Sequence, residues 1–133
     1  MSNSLTFELV SPEKLLFSGP VTMVTVPGEE GDFGVLHAHS PMISTLRPGV
    51  LRVFEGDTIT QRIFIAGGFA EVTGERCTVL ADMAQPVEEI DPSKAREDYL
   101  HLDEQFHKET DSQERQILKK RREIARVKAE IAA

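Results

Sequence analysis

The chain has one cysteine, Cys77, one tyrosine and no tryptophan. A lone thiol forms no disulfide within the chain, which fits a reducing compartment. No stretch approaches the roughly 18 consecutive apolar residues of a membrane-spanning helix, so no direct membrane insertion is expected. The opening MSNSLTFELV has no basic region leading into an apolar segment, and a cleaved secretory signal is not expected. Basic residues are scarce in the body: residues 1–91 hold 13 acidic and 5 basic residues, a net of −8. Such a surface repels phosphates and argues against nucleic acid as its partner. Glycine is absent after Gly74, so the tail has a different texture from the body.

What is present is ordinary for a soluble protein: 133 residues, 40% apolar and 28% charged, enough for one core and a small appendage. Residues 5–84 read as many short strands. Leu5, Phe7 and Leu9 alternate with Thr6 and Glu8, the period of a half-buried strand. Val21 to Val26 is largely β-branched. Val50 to Phe54 and Thr58 to Ile65 flank Glu55-Gly56-Asp57, a hairpin connection. Frequent Gly and Pro turns with no helical period between them indicate a β-sandwich or flattened barrel.

The stretch Val26 to Pro41, VPGEEGDFGVLHAHSP, carries the most constraint. Gly28, Gly31 and Gly34 are interleaved with Glu29, Glu30, Asp32 and Phe33. Glycine at this spacing supplies positive φ or room for a close neighbour. The stretch reads as a shaped acidic loop between strands.

At Pro86 the pattern turns helical. Pro86 and Pro92 bracket a short acidic linker, and Asp91-Pro92 is a strong helix start. Ala95, Tyr99, Leu102 and Phe106 share one helical face. Glu109-Thr110-Asp111-Ser112 interrupts the pattern and caps a second helix, in which Ile117, Ile124, Val127 and Ile131 form a narrow seam broken by Lys120. Residues 92–111 are net −3 and 112–133 net +4, so antiparallel helices would attract one another. The expected division is 1–86 as a β-sandwich and 87–133 as a helical hairpin, with helices over about 92–108 and 112–131. So thin a seam predicts a hairpin that is marginal by itself and suited to be a moving part.

Candidate chemistry is sparse. His37-Ala38-His39 invites a metal reading, but two ligands do not complete a site and the next histidine is His101; hydrogen-bonding loop histidines are the plainer reading. No Gly-Lys-Ser/Thr closes the glycine-rich stretch, so it is no phosphate cradle. Cys77 opens an alternating strand and reads as a buried thiol. No acid–base pair stands out. The run Lys119-Lys120-Arg121-Arg122 reads as a solvated helix face.

The chain as a whole resembles the epsilon subunit of F-type ATP synthases. The residues that carry this are Phe17-Ser18-Gly19, then Val26-Pro27-Gly28 with Gly31, Gly34-Val35-Leu36, His39 and Pro41, then Arg47-Pro48-Gly49. Ile65-Ala66-Gly67-Gly68-Phe69-Ala70-Glu71-Val72, Thr78-Val79-Leu80-Ala81-Asp82 and the closing helical pair follow in order. The resemblance implies a mainly β protein with a small α domain: a two-layer sandwich of about ten strands, then an antiparallel two-helix hairpin. It implies a non-catalytic central-stalk rotor subunit, needing no cofactor, that links gamma to the c-ring and couples proton flow to ATP synthesis. Its hairpin would meet the alpha/beta catalytic head and restrain ATP hydrolysis. The implied location is peripheral, on the cytoplasmic side of a bacterial inner membrane.

By the same resemblance, Glu29, Glu30, Asp32 and His39 are candidates for ring and gamma contact. Arg115, Lys119, Lys120, Arg121, Arg122 and Arg126 are candidates for contact with the head. Some members bind regulatory ATP at the start of the first helix; here the corresponding stretch is Ile90-Asp91-Pro92-Ser93-Lys94-Ala95, with Arg122 and Arg126 as helpers. Lys94 stands where that motif has arginine, and the two are not equivalent toward phosphate. A capped helix start explains Asp91 equally. Two other readings stand beside the family one: a free-standing sandwich module with a recruiting tail, and, more distantly, a cupin-like metalloenzyme.

Overall fold

The structure, a computed structural model, describes residues 4–133; Met1, Ser2 and Asn3, the first residues of the segment read as lacking a signal, lie outside the described residues. Contacts divide the chain into two compact units at the Pro86–Val87 bond.

The first unit is a curled β-sandwich. Its strands are β1 (Leu5–Val10), β2 (Leu15–Val21), β3 (Met23–Gly28), β4 (Gly31–Leu36), β5 (His39–Leu46), β6 (Gly49–Glu55), β7 (Thr58–Ile65), β8 (Gly68–Gly74), β9 (Arg76–Ala81) and β10 (Ala84–Pro86). They form one sheet in the order β10-β7-β6-β3-β5-β8-β9-β1-β2, with β4 paired to β3. β3 makes the corner: Met23 to Thr25 pair with β6, while Gly28 pairs with Leu46 of β5. β1 runs parallel to β9, and the other pairings are antiparallel.

Alternation decides which side chains fill the interior. Leu5, Phe7 and Leu9 of β1, Val24 and Val26 of β3, Val35 of β4, Leu51 and Val53 of β6 and Val72 of β8 are buried, with Cys77 and Val79 of β9 beside them. Phe7 packs against Phe17 with ring centroids 5.6 Å apart. No polar or charged residue is buried among the described residues, so the interior has no charge to neutralise. Truncating Phe7 to Ala would cost about 3–5 kcal/mol. Gly68 at the start of β8 has φ +137°, and a Cβ there would overlap the Leu80 carbonyl, so only glycine fits this close strand approach.

The acidic stretch is more regular than its glycines suggest. It is two tight turns around a strand: Glu29-Glu30 joins β3 to β4, and His37-Ala38 joins β4 to β5. Val24↔Val35 and Val26↔Phe33 are opposite one another across this hairpin. The expected loop is thus largely β4: Gly31 opens it at φ +138°, which glycine tolerates, and Gly34 sits in the ladder opposite Thr25. The left-handed residue in the second turn is Ala38, at φ +65°, not a glycine.

The second unit holds a 3-10 turn (Val87–Glu89), α1 (Pro92–Lys108) and α2 (Ser112–Ala132). Asp91 caps α1 by accepting from the amides of Ser93 (3.0 Å) and Lys94 (3.3 Å), with Pro92 at the first helical position. Asp111 caps α2 through the Glu114 amide at 2.9 Å. No helix is long and apolar enough to cross a membrane among the described residues.

The core makes a chemical prediction. Burial pushes the Cys77 thiol from its ordinary 9.0 up to about 12. Native Cys77 should therefore resist alkylation at pH 8 and react as the chain unfolds. The unfolded thiol ionises near 9.0 and the folded one near 12. The thiol's contribution to stability is thus full below pH 9.0 and declines as pH rises toward 12. Alkylation of the folded protein at pH 8 as fast as a small-molecule thiol would contradict this.

Candidate functional site

The Glu29-Glu30 turn is held from beneath by Arg47, which leads out of β5. One guanidinium nitrogen, Nη1, donates to the Gly28 carbonyl, and Nη2 donates to Asp32 Oδ1 at 2.5 Å. Backbone bonds complete the anchor: the Arg47 amide donates to the Pro27 carbonyl at 2.9 Å, and the Glu29 amide to that of Thr45 at 3.0 Å. Glu29 and Glu30 remain exposed at the tip. An open groove of about 510 Å³ lies against them, lined also by Asp32, Phe33, His39, Met42, Ile43, Ser44 and Thr45.

The structure therefore gathers Glu29, Glu30, Asp32 and His39 around one groove. Asp32 is partly offset by Arg47, which leaves the two glutamates as the groove's negative rim. The apolar wall, Met42 and Ile43, is absent from the sequence-based candidates. His37 and His39 do not converge on a shared point. His37 Nε2 meets Glu75 Oε1 at 3.0 Å, and His39 Nδ1 meets the Ser40 carbonyl at 2.7 Å.

A second surface lies on the outer face of β5, β8, β9, β1 and β2. Register places Thr45 beside Phe69, Phe69 beside Leu80, Leu80 beside Val10 and Val10 beside Leu15. Phe69 is 46% exposed, Leu80 39% and Leu15 56%. Ile43, 72% exposed, lies one residue pair further along β5, opposite Glu71. Ile43 and Thr45, the row's member on β5, both line the acidic groove, so row and groove adjoin. Sequence reasoning missed this row, although its signal was present. Ala70 and Val72 set the inward phase of β8, so Phe69 must point out.

In the hairpin the basic residues divide by partner. Arg115 and Arg122 stack on the Phe106 ring, their Cζ atoms 4.0 and 4.1 Å from its centroid. Arg126 donates to Glu123 (3.0 Å, from Nε) and to Glu130 (2.6 Å, from Nη1). These two bonds, Glu123's foremost, push the guanidinium's pKa further up, and the Arg126 bond holds the Glu123 carboxyl below its usual range. Lys119, Lys120 and Arg121 are exposed.

The five residues considered for nucleotide binding, Asp91, Lys94, Ala95, Arg122 and Arg126, lie at the start of α1 and along α2. Asp91 caps α1, Lys94 is exposed, Ala95 is buried and Arg122 pairs with Asp103 at 3.0 Å. Of the five, Arg126 lines the groove of about 570 Å³ between the start of α1 and the end of α2, where Arg96 and Tyr99 join it.

This architecture, a curled sandwich with an outward apolar row and an acidic groove plus a capped helical hairpin, matches a known class. The family described as "ATP synthase, Delta/Epsilon chain, beta-sandwich domain" matches residues 4–87. The ATP synthase epsilon chain of Rhodospirillum centenum is 47% identical over 139 aligned positions, covering 100% of this chain and 94% of its own. That of Rhodospirillum rubrum is 48% identical over 115 residues, 86% of each chain. Among solved structures, a chain of the Euglena gracilis mitochondrial ATP synthase OSCP/F1/c-ring assembly superposes with a TM-score of 0.82 at 27% identity, over 96% of this chain and 80% of that one. A chain of the Tetrahymena thermophila mitochondrial central stalk/c-ring, at 17% identity and TM-score 0.65, shares the fold.

The protein belongs to the ATP synthase epsilon chain family. It is accordingly an ATP synthase subunit, and the free-standing module and cupin readings are not favoured.

The groove carries its own test. Arg47→Ala removes the bond to Gly28 and the partner of Asp32. The exposed ion pair contributes at most about 1 kcal/mol, and the bond to the carbonyl about as much. Amide exchange at Glu29 should rise roughly tenfold, the equivalent of about 1.4 kcal/mol, while exchange in β1 and β9 stays slow. Unchanged exchange at Glu29 would show that the backbone bonds alone hold the turn.

Proposed function

We propose that this chain is a non-catalytic rotor subunit of the central stalk, in which the sandwich joins gamma to the c-ring and the hairpin restrains ATP hydrolysis. The reading assigns it to the proton-translocating synthase of a bacterial inner membrane, peripheral on the cytoplasmic side and held there by its partners. The observation that carries it is the continuity of two unlike surfaces. The row Phe69, Leu80, Val10 and Leu15 offers an apolar sheet face larger than scattered surface side chains need. The adjoining groove offers carboxylates.

An apolar face suits a permanent partner whose surface is buried on assembly, which is gamma in this reading. The acidic rim of Glu29, Glu30 and Asp32, with His39, suits polar ring loops, where charge sets register more than affinity. Ile43 lines the groove and borders the apolar row, and would sit where shaft and ring meet.

In this proposal the two units have separate duties, the sandwich in coupling and the hairpin in control. Of the six basic candidates for the catalytic head, Lys119, Lys120 and Arg121 are the ones turned to solvent; Arg115, Arg122 and Arg126 are engaged within the hairpin. A regulatory nucleotide is not needed for the reading, because Asp91 is occupied as a cap and Arg122 as an ion pair.

Replacing both Phe69 and Leu80 by Glu leaves the inward residues untouched and should preserve the fold. It should weaken gamma binding at least about 30-fold, the scale of a central interface anchor at roughly 2 kcal/mol. Gamma affinity equal to wild type would remove the apolar row from the interface. In the reconstituted synthase, a chain ending at Pro86 retains β10 against β7. It should keep proton coupling while hydrolysis accelerates; loss of coupling with unchanged hydrolysis would reverse the assignment of the two units.

A further inference from the structure

We propose that a cation–π clamp holds the hairpin closed, Phe106 gripped between Arg115 and Arg122 with Asp103 fixing Arg122. The clamp makes closure an internal property of the hairpin that requires no bound ligand. This inference goes beyond the proposed function and does not rest on it.

The geometry is specific. Phe106 is on α1, and both arginines reach it from α2. They are seven residues apart, two helical turns, so they lie on one face of α2 and approach the ring together. Each is held in place by a second contact. Arg115 Nη1 donates to the Phe106 carbonyl at 2.7 Å and the Glu109 carbonyl at 3.0 Å, satisfying acceptors at the end of α1. Arg122 Nη1 donates to Asp103 Oδ1 at 3.0 Å, in a pair whose side chains are 25% and 35% exposed. Half-burial screens this pair less than the exposed pairs of the surface. Guanidinium is the group suited to this role, since its plane stacks on the ring while its edge donates; an ammonium does only the second.

The isoleucines of α2 lie off the clamp's face, whereas Leu118 and Ala125, three residues after Arg115 and Arg122, share it and are half-buried. Ile117, Ile124 and Ile131 each follow by two residues a position facing α1: Arg115, Arg122, and Ala129, which lines the groove shared with Tyr99 and Leu100. Two residues turn about 200° around a helix, so the isoleucine stripe lies almost opposite the clamp. Ile117 is 45% exposed. Of the stripe Ile117, Ile124, Val127 and Ile131, the last three are half-buried. Beyond the clamp, toward the ends of the chain segment, the helices leave the open groove of about 570 Å³.

The test uses the full chain with Asp98→Cys and Ala133→Cys spin-labelled and Cys77→Ala as background, reading the distance distribution by pulsed dipolar spectroscopy. Phe106→Leu keeps the apolar bulk and removes the ring. It should raise the open fraction roughly tenfold. Arg122→Lys keeps the charge and removes the stacking, and should raise it several-fold. Phe106→Tyr should behave as wild type, and Ile124→Ala should leave the distribution unchanged. Circular dichroism checks that helicity persists; if Phe106→Leu loses it, Arg122→Lys alone decides. The proposal is overturned if Arg122→Lys stays as closed as wild type, or if Ile124→Ala opens the hairpin more than Phe106→Leu does.

Discussion

The parallel ladder between β1 and β9 sets Thr6 beside Arg76 and Val10 beside Leu80, joining residues some 70 positions apart. Glu8 fastens it from outside by accepting from Arg76 at 2.5 Å. On the inward side this ladder puts Phe7 beside Cys77 and Leu9 beside Val79, which are fully buried. On the outward side it places Val10 against Leu80, and so extends the apolar row from β8 across to β2. One pairing therefore produces both the core and the surface assigned to gamma. Without it, β1 and β2 would be a hairpin with nothing to bury its inner face, and two-stranded ribbons of that kind are marginal alone.

Arginine does the local fixing in both units, by different chemistry. Arg47 ties a turn by bonding a carbonyl and a carboxylate together, which holds the acidic tip without burying charge. Arg115 and Arg122 use the flat face of the same group against Phe106. The two devices differ in consequence. The turn is also held by backbone bonds to β5, so its shape is over-determined. In the hairpin the proposed clamp is a small group of side chains, Phe106, Arg115, Arg122 and Asp103, so a change there is expected to bear on closure. A rigid connector joined to a releasable pair of rods is what the proposed division between coupling and control calls for.

Much of this architecture is legible in the sequence. Alternation in Leu5-Phe7-Leu9 and the β-branched run after Val21 gave the strands, because one face of each must be buried. Asp91-Pro92 gave the start of α1, because its capping chemistry is local. Three things were harder to read, each for a physical reason. Gly31 and Gly34 suggest a loop; Gly31 does take a positive φ at the turn, but Gly34 is extended and paired with Thr25, a pairing set by a distant strand. Ile117, Ile124 and Ile131 suggested the helix seam, because periodicity reveals a stripe without saying what it faces. Arg47 is legible only as part of Arg47-Pro48-Gly49, because the partners that make it an anchor, Gly28 and Asp32, are distant in sequence. The four acidic-stretch candidates do surround one groove, but Met42 and Ile43, which give that groove its apolar wall, were read only as strand residues.

The central claim is that one continuous surface of the sandwich holds both shaft and ring, with Ile43 at the junction. A photo-reactive residue placed singly at Phe69, Ile43 or Glu29 in the assembled synthase tests it most directly. The account predicts capture of gamma from Phe69, of c-ring subunits from Glu29, and of both from Ile43. Capture of alpha or beta subunits from Phe69, with gamma captured from none of the three positions, would contradict it.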